Sequence, residues 1–399
     1  MSTGDLYTGR EQTFIKHFIL RNYLERFAII VGSRWDTLTY VDCFSGPWKA
    51  KSEKFEDSSF SIAIKELRKA RDFHRERTGK ILKLRCFFLE KTPSAYAKLK
   101  QFADQIDDVI IETKNKELEN AIQDILKFVQ DGGPTSFPFI FIDPTGWSGF
   151  ALETITPLLK LKREEVLITF MTEHIRRFIE WPQKQNQESF IKLFGSGQFK
   201  DILKDLEEKD REDAIVTAYS ERVKNVGAFG FTSSAIVLHP NKNRPHFHLI
   251  YATRDPKGIE VFKDTEKKAM SLMEKTRDEA QKREREERTG QTELGLFSGT
   301  VTQDPSEYFR SLRERYKSRA QATVLALLQT KKHLAYDEAW SSAMTFPLTW
   351  ESDLKDWVRE WKQNGQLEAS GMQERRHVPQ LGQNILLIWK DSKTSSPRG

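Results

Sequence analysis

Residues 137–142, Phe-Pro-Phe-Ile-Phe-Ile, lack any charged or hydroxyl side chain, and they stop at Asp143-Pro144-Thr145-Gly146-Trp147. A strand with one wet face alternates apolar and polar residues. One without alternation is covered on both faces, which places helices on both sides of a sheet. Further strand-like runs at 38–44, 82–89, 109–112 and 166–171 alternate with helix-like runs at 11–31, 60–77, 91–102, 117–130 and 151–161. Residues 187–224 read as a charged helix. Residues 233–238 and 247–253 read as an antiparallel pair joined across Asn241-Lys-Asn-Arg-Pro245. Strands alternating with helices and closed by a late hairpin predict a doubly wound α/β domain, Rossmann-like in its sheet.

A chain of 399 residues exceeds one small core and predicts two or three domains. The expected division is a sheet domain over 1–262, a charged helix or linker over 263–304, and a separate module over 305–399. The run Lys282-Arg-Glu-Arg-Glu-Glu-Arg288 is mixed in sign without an apolar stripe, as in a solvated face. In the last module, helices at 305–329, 334–343 and 350–363 precede a small hairpin at 366–369 and 385–389, the pattern of a winged helix. A net charge of +6 leans weakly toward an acidic partner such as nucleic acid. Cys43 and Cys86 lie inside strand-like runs and read as buried thiols. No apolar run approaches the ~20 residues of a membrane span, and the amino terminus lacks the apolar core of a signal peptide. The cytoplasm is the expected compartment.

The first chemical motif is Tyr40-Val-Asp-Cys-Phe-Ser-Gly-Pro-Trp48. A strand running into Asp42, then Ser45, Gly46 and Pro47, fits a turn that passes beneath a cofactor. It also fits a strand-capping turn with no ligand. Trp48 stands where a second glycine would be expected, and its ring would cover the pocket. Glu90 ends the next strand, where an acidic residue in nucleotide-binding α/β folds accepts from ribose hydroxyls. The plainer reading is a carboxylate at a helix start. Asp143-Pro144-Thr145-Gly146-Trp147 resembles the Asp-Pro-Pro-aromatic signature of enzymes that methylate exocyclic amino groups of bases. There an acceptor oxygen orients the amino group and a ring stacks on the flipped base. In this chain Asp143 would orient and Trp147 would stack, unless the turn only caps the next helix. His246 and His248, at period two, read as one face of a strand rather than a metal pair. His174, Arg176 and Arg177 fit a phosphate contact or an exposed helix start equally well.

Together these residues resemble the three-Cys-motif partner protein family. Its Tyr-Ile-Asp-x-Phe-Ala-Gly-Pro-Gly strand is matched by Tyr40 to Trp48, with Trp48 in place of the last glycine. Its Lys-His-x-x-Leu-x-x-Tyr-Leu helix start is matched by Lys16, His17, Leu20, Tyr23 and Leu24. Its Phe-Ile-Asp-Pro-Phe-Gly-Trp tip is matched by Phe141 to Trp147, with Thr145 for Phe. Glu165 to Met171, Arg177-Phe178, His248 to Arg254 and Pro256 to Gly258 match the rest.

The resemblance implies a class I methyltransferase-like fold with a carboxy-terminal helical module. It also implies partnership with a phage-type protein bearing a three-cysteine motif, similar to radical enzymes. The expected function is a methyltransferase using S-adenosylmethionine that acts on or binds nucleic acid in defence against mobile elements. Asp42, Ser45, Gly46, Pro47 and Glu90 would hold cofactor; Asp143, Pro144 and Trp147 would meet the acceptor. Two rivals are a non-catalytic subunit of the three-Cys protein, and a nuclease using Asp42, Glu90 and Asp143 around a divalent ion.

Overall fold

The computed structural model describes residues 5–46, 50–52, 54–146, 149–173, 188, 191–195, 206–289, 305–372 and 379–390. The chain divides into two compact units, 1–301 and 302–399.

In the first unit the strands are β1 (Thr37–Asp42), β2 (Lys83–Leu89), β3 (Ile110–Lys114), β4 (Ser136–Ile142), β5 (Glu165–Phe170), β6 (Phe231–Leu238) and β7 (Pro245–Thr253). They form one seven-stranded sheet in the order β3-β2-β1-β4-β5-β7-β6. The first five are parallel, and β7 runs antiparallel to both neighbours. A parallel sheet with one reversed strand beside its edge, in this order, is the class I methyltransferase form of the Rossmann-like sheet. The helices are α1 (Glu11–Arg34), α2 (Ser59–Thr78), α3 (Pro93–Ala103), α4 (Leu118–Gln130), α5 (Leu152–Leu159), α6 (Glu208–Gly227) and α7 (Pro256–Thr289).

Period two explains why the central strands carry no polar face. Val41, Phe87, Ile140, Ile142 and Ile168 enter a core with Ile125 of α4, Ile155 of α5 and Tyr219 of α6. Tyr40, Phe88 and Phe139 point the other way, against rings of Tyr23 and Phe27 on α1 and Phe60 on α2. Each such ring withdraws ~150–250 Å² from water. At roughly 25 cal/mol per Å² that outweighs any strand propensity.

Some boundaries differ from expectation. β1 stops at Asp42 rather than 44, because the carboxylate accepts the Phe44 N–H at 3.0 Å and turns the chain. Of the helix or linker expected from 263, the described residues take the helix. α7 runs unbroken through it to Thr289 and packs on α1 and β6. It buries Phe262, Ala269, Met273 and Ala280, a stripe hidden in the sequence because half of it is alanine. Lys263 and Glu266, both buried, pair with each other at 2.8 Å. Of the helix expected over 187–224, the structure describes α6, while 187, 189, 190 and 196–205 lie outside the described residues.

The second unit contains α8 (Pro305–Lys331), β8 (His333–Ala335), α9 (Tyr336–Thr345), α10 (Glu351–Gln363), β9 (Leu367–Ser370) and β10 (Leu386–Trp389). Its antiparallel sheet has the order β8-β10-β9, the winged-helix arrangement. β8 replaces the start of a predicted helix. Its three residues become a strand only by pairing with β10, more than 50 residues later. Asp353 caps α10 through the Trp350 N–H at 2.9 Å and also binds Arg313, whose guanidinium lies 4.2 Å from the Trp350 ring centroid.

Candidate functional site

The order of the sheet reverses between β1 and β4, so their carboxyl ends part and leave a crevice, the usual ligand position in open α/β sheets. A pocket of about 310 Å³ occupies it. That lies within the ~300–1,000 Å³ of small-molecule sites. Cys43 and Phe44 contribute from the β1 turn, and Leu89, Glu90 and Lys91 from the β2 tip. Residues 116–119 contribute from the start of α4, and Pro144, Thr145, Gly146 and Gly149 from the β4 turn.

Glu90 is the acidic side chain best placed to receive a guest. Its Oε1 accepts the Thr92 N–H at 2.6 Å, which fixes the rotamer at the start of α3. Among the described residues, Oε2 has no hydrogen-bond partner, and the residue lines the pocket. Asn115 donates to the Glu90 carbonyl at 2.8 Å and to that of Lys91 at 3.0 Å, tying the β3 exit to the β2 tip. Glu90 is thus a helix-start carboxylate with one oxygen spent on Thr92 and the other without a hydrogen-bond partner among the described residues.

Asp42 and Ser45 lie beneath the pocket. Asp42 is wholly buried. Its carboxylate accepts from the Phe44 N–H at 3.0 Å and from Ser59 Oγ at 2.5 Å. Burial pushes its carboxyl up to about 6, against those hydrogen bonds, and Asp143 adds a smaller push in the same direction. Ser45 donates to the Asp42 carbonyl at 2.9 Å, and its N–H reaches the Leu89 carbonyl at 2.8 Å. These two residues brace the turn that carries Cys43 and Phe44 into the pocket. Gly46 is half-buried beside them. Pro47, Trp48 and Trp147 lie outside the described residues, as do His174, Arg176 and Arg177.

Asp143 is not among the pocket-lining residues; Pro144 is. Asp143 meets Lys16 of α1, Nζ to Oδ2 at 2.5 Å, with both side chains mostly buried. The same ammonium lies 5.8 Å from the Phe247 ring centroid at the start of β7. Because β7 is antiparallel, its first residues share an edge with the last residues of β4 and β5. Ile142 aligns with Ile168, and Phe170 with His248. The carboxyl edge thus continues from the pocket past Asp143 to a second polar group that strand alternation alone did not reveal.

That group is centred on Glu173, just past β5. Its Oε2 lies 2.5 Å from His246 Nδ1, and its Oε1 accepts from Arg244. Glu173 is nearly buried, whereas the His246 side chain is 19% exposed. Thr172 approaches His248 Nδ1 at 3.4 Å. The hairpin that presents Arg244 and His246 is held from below by buried Arg277 of α7. Its Nε donates to the His239 carbonyl at 3.0 Å and its Nη2 to the Lys242 carbonyl at 3.0 Å. The His-x-His pattern was the visible signal. What it could not announce was the carboxylate arriving from a strand 73 residues away. Among the described residues, no group of three or more His, Cys, Asp or Glu has the spacing to hold a metal ion. No described helix is long and apolar enough to cross a membrane.

Comparison with protein-family models gives no match, and comparison with curated proteins gives none. Among solved structures, the chain is similar to a Legionella pneumophila str. Philadelphia 1 protein of the family model DUF519. The TM-score is 0.32 at 11% identity, covering 60% of this chain and 84% of that one. It is also similar to a loganic acid methyltransferase with SAH, at a TM-score of 0.29 and 8% identity, covering 72% and 91%. At such scores the likenesses add nothing to the strand order, which by itself gives the fold.

Proposed function

We propose that the first unit binds S-adenosylmethionine and transfers its methyl group to nucleic acid. The observation that carries this reading is Glu90 Oε2, unpartnered among the described residues on a residue that lines the pocket where the sheet order reverses. A carboxylate held by one oxygen and open at the other suits the hydroxyl pair of a ribose. Glu90 would hold the ribose, the β1 turn would floor the site, and Pro144 to Gly146 would flank it. Bound there, the cofactor supplies a sulfonium methyl group. The chain's task is then placement of the acceptor, which contributes most of the rate in a bimolecular displacement.

Nucleic acid as acceptor is supported by the net charge of +6 and by the winged-helix form of the second unit. The resemblance in motifs to three-Cys-motif partner proteins supports a role beside such a protein, in defence against mobile elements. Isothermal titration with S-adenosylmethionine tests the pocket directly. Heat with a one-to-one stoichiometry is expected, and a flat trace at millimolar cofactor would remove the enzyme reading.

A second reading, a non-catalytic subunit of the three-Cys protein, draws on one observation. Asp42 and Ser45 spend their polar atoms inside the turn and leave Glu90 to recognise the guest. Co-purification of the two proteins, with full biological activity retained in Asp143→Ala, is its expected signature.

A further inference from the structure

At the edge of the sheet opposite Glu90, we propose a second binding site, which takes a quaternary methylammonium headgroup. Its occupancy is independent of any cofactor at the carboxyl edge. The site is a cavity of about 70 Å³ between α1, the start of α7 and the amino ends of β4 and β5. Tyr23, Phe27, Trp35 and Phe137 line it with four aromatic rings, and Glu165 and Asp255 add two carboxyl groups. Ile30, Arg34 and Lys257, all exposed, line it at the solvent side. One water needs roughly 10–15 Å³, so the space takes several water-sized groups. A drug-sized ligand needs ~300 Å³ or more. The cavity therefore suits a compact headgroup, with the body of any larger molecule left outside.

Charge and donors select the guest. Glu165 is buried; its Oε2 accepts from the Tyr23 hydroxyl at 2.6 Å and its Oε1 from Thr253 at 3.1 Å. Asp255 accepts the Lys257 N–H at 2.9 Å and so answers the positive end of α7. Among the described residues, neither carboxyl group has an ion-pair partner. Lys257 pairs with Glu260 instead. Two acids in an aromatic cavity without a cation of their own favour a cation from outside, and ring faces attract one. The Arg163 guanidinium already rests 5.0 Å from the Trp35 ring centroid at this edge. A primary ammonium brings three donors, whereas the Glu165 oxygens already serve Tyr23 and Thr253. A fully methylated ammonium has no donor to satisfy and presents methyl groups to the rings. Burial pushes the Glu165 carboxyl up to about 7, and Asp255 adds to that push. A cation beside it favours the ionised form, so binding tightens as pH rises through that value. The groups facing Glu165 are Tyr23 of α1, Tyr251 of β7 and Asp255 before α7, with Arg34 and Lys257 lining the same cavity. Both tyrosine hydroxyls are held well above 10 by burial and stay neutral throughout.

The test titrates the full chain calorimetrically with tetramethylammonium chloride, and separately with ammonium chloride. At pH 8, one-site binding of tetramethylammonium is expected, about tenfold tighter than that of ammonium. With a carboxyl that titrates near 7, affinity at pH 5.5 should be roughly tenfold weaker. Asp255→Asn keeps the oxygen that caps α7 and removes only the charge. It should weaken binding about threefold, with the urea midpoint near that of the wild type. Trp35→Leu, at a half-buried position, should weaken binding about tenfold. Choline and a peptide bearing one trimethylated lysine then separate the sources: the tighter binder identifies whether the headgroup comes free or on a protein. No heat from tetramethylammonium, equal affinity for ammonium, an affinity unmoved by either variant, or one unmoved between pH 5.5 and 8 would each overturn the proposal.

Discussion

Lys16 and Asp143 stand 127 positions apart and meet across the top of the sheet, ammonium to carboxylate at 2.5 Å. One belongs to the first helix and the other to the tip of β4. Their side chains are 13% and 15% exposed, so either charge left alone would be stranded in a poorly hydrated place. Lys16→Ala and Asp143→Ala should each cost about 1–3 kcal/mol of stability. The double variant should cost less than their sum, with an interaction of about 0.5–3 kcal/mol. Urea unfolding of the four proteins gives that cycle, and strict additivity would mean that the pair does not form in solution.

Glu90 separates binding from folding. Its backbone N–H bonds to the Lys114 carbonyl whatever the side chain. Among the described residues, removing the carboxylate costs only the Thr92 contact. Glu90→Ala should therefore unfold at nearly the wild-type urea midpoint. Charge-assisted hydrogen bonds of about 1.5–3 kcal/mol translate to a tenfold to hundredfold weaker affinity for S-adenosylmethionine. Calorimetry on both proteins decides it: unchanged affinity would show that the ribose sits elsewhere.

Much of this architecture could be read from the sequence because it is local. Apolar runs ending in acid and glycine or proline located the tips of β1, β2 and β4, and the late hairpin followed from Asn241 to Pro245. What escaped reading depends on partners distant along the chain. The Asp42 carboxylate accepts from Ser59 and from the turn it terminates, contacts that its place at a strand end does not announce. β8 exists only because β10 pairs with it. The stripe on α7 is thin and small, Ala269, Met273 and Ala280, among many charges. Glu173 gave no signal at all, since a lone acid after a strand has no periodicity and no motif. Tyr23, Glu165, Tyr251 and Gly258 were visible only as pieces of a resemblance, and the fold brings them together at the opposite edge of the sheet.

Glu165, within that cluster, should make stability depend on pH. Glu165 Oε2 accepts from Tyr23 at 2.6 Å and Oε1 from Thr253 at 3.1 Å. Even so, burial pushes its carboxyl up to about 7. In the unfolded chain it would ionise near 4.5. Between those values the folded protein holds a proton that the unfolded chain has lost. Stability therefore falls as pH rises through that window, and the loss is complete above about 7. The group alone accounts for a decline on the order of 3 kcal/mol. Asp42, raised to about 6, slopes in the same direction over a lower range. Glu165→Gln should start from a constant offset, because an amide nitrogen cannot accept the Tyr23 proton, but its urea midpoint should fall less between pH 4.5 and 8. Parallel curves for the two proteins would assign the decline to other groups.

Gly258 shows how closely that cluster is packed. It lies in the first turn of α7, and a methyl group there would collide with the Tyr251 hydroxyl and stand 3.0 Å from Glu165 Oε1. The obstruction is not the loose end of a surface chain, because the same hydroxyl bonds to Tyr23, which in turn donates to Glu165. Moving it breaks buried polar contacts as well as packing. Gly258→Ala should destabilise by about 1–3 kcal/mol or more from overpacking, despite the better helix propensity of alanine. In a Tyr251→Phe background the colliding oxygen is gone, so the same substitution should cost less, even though the phenylalanine has already sacrificed a hydrogen bond of its own. Urea midpoints for the four combinations measure this relief. An alanine equally costly with and without the hydroxyl would place the clash at Glu165 Oε1 or the Thr253 methyl, 3.0 and 3.1 Å from the added carbon, and not at the tyrosine.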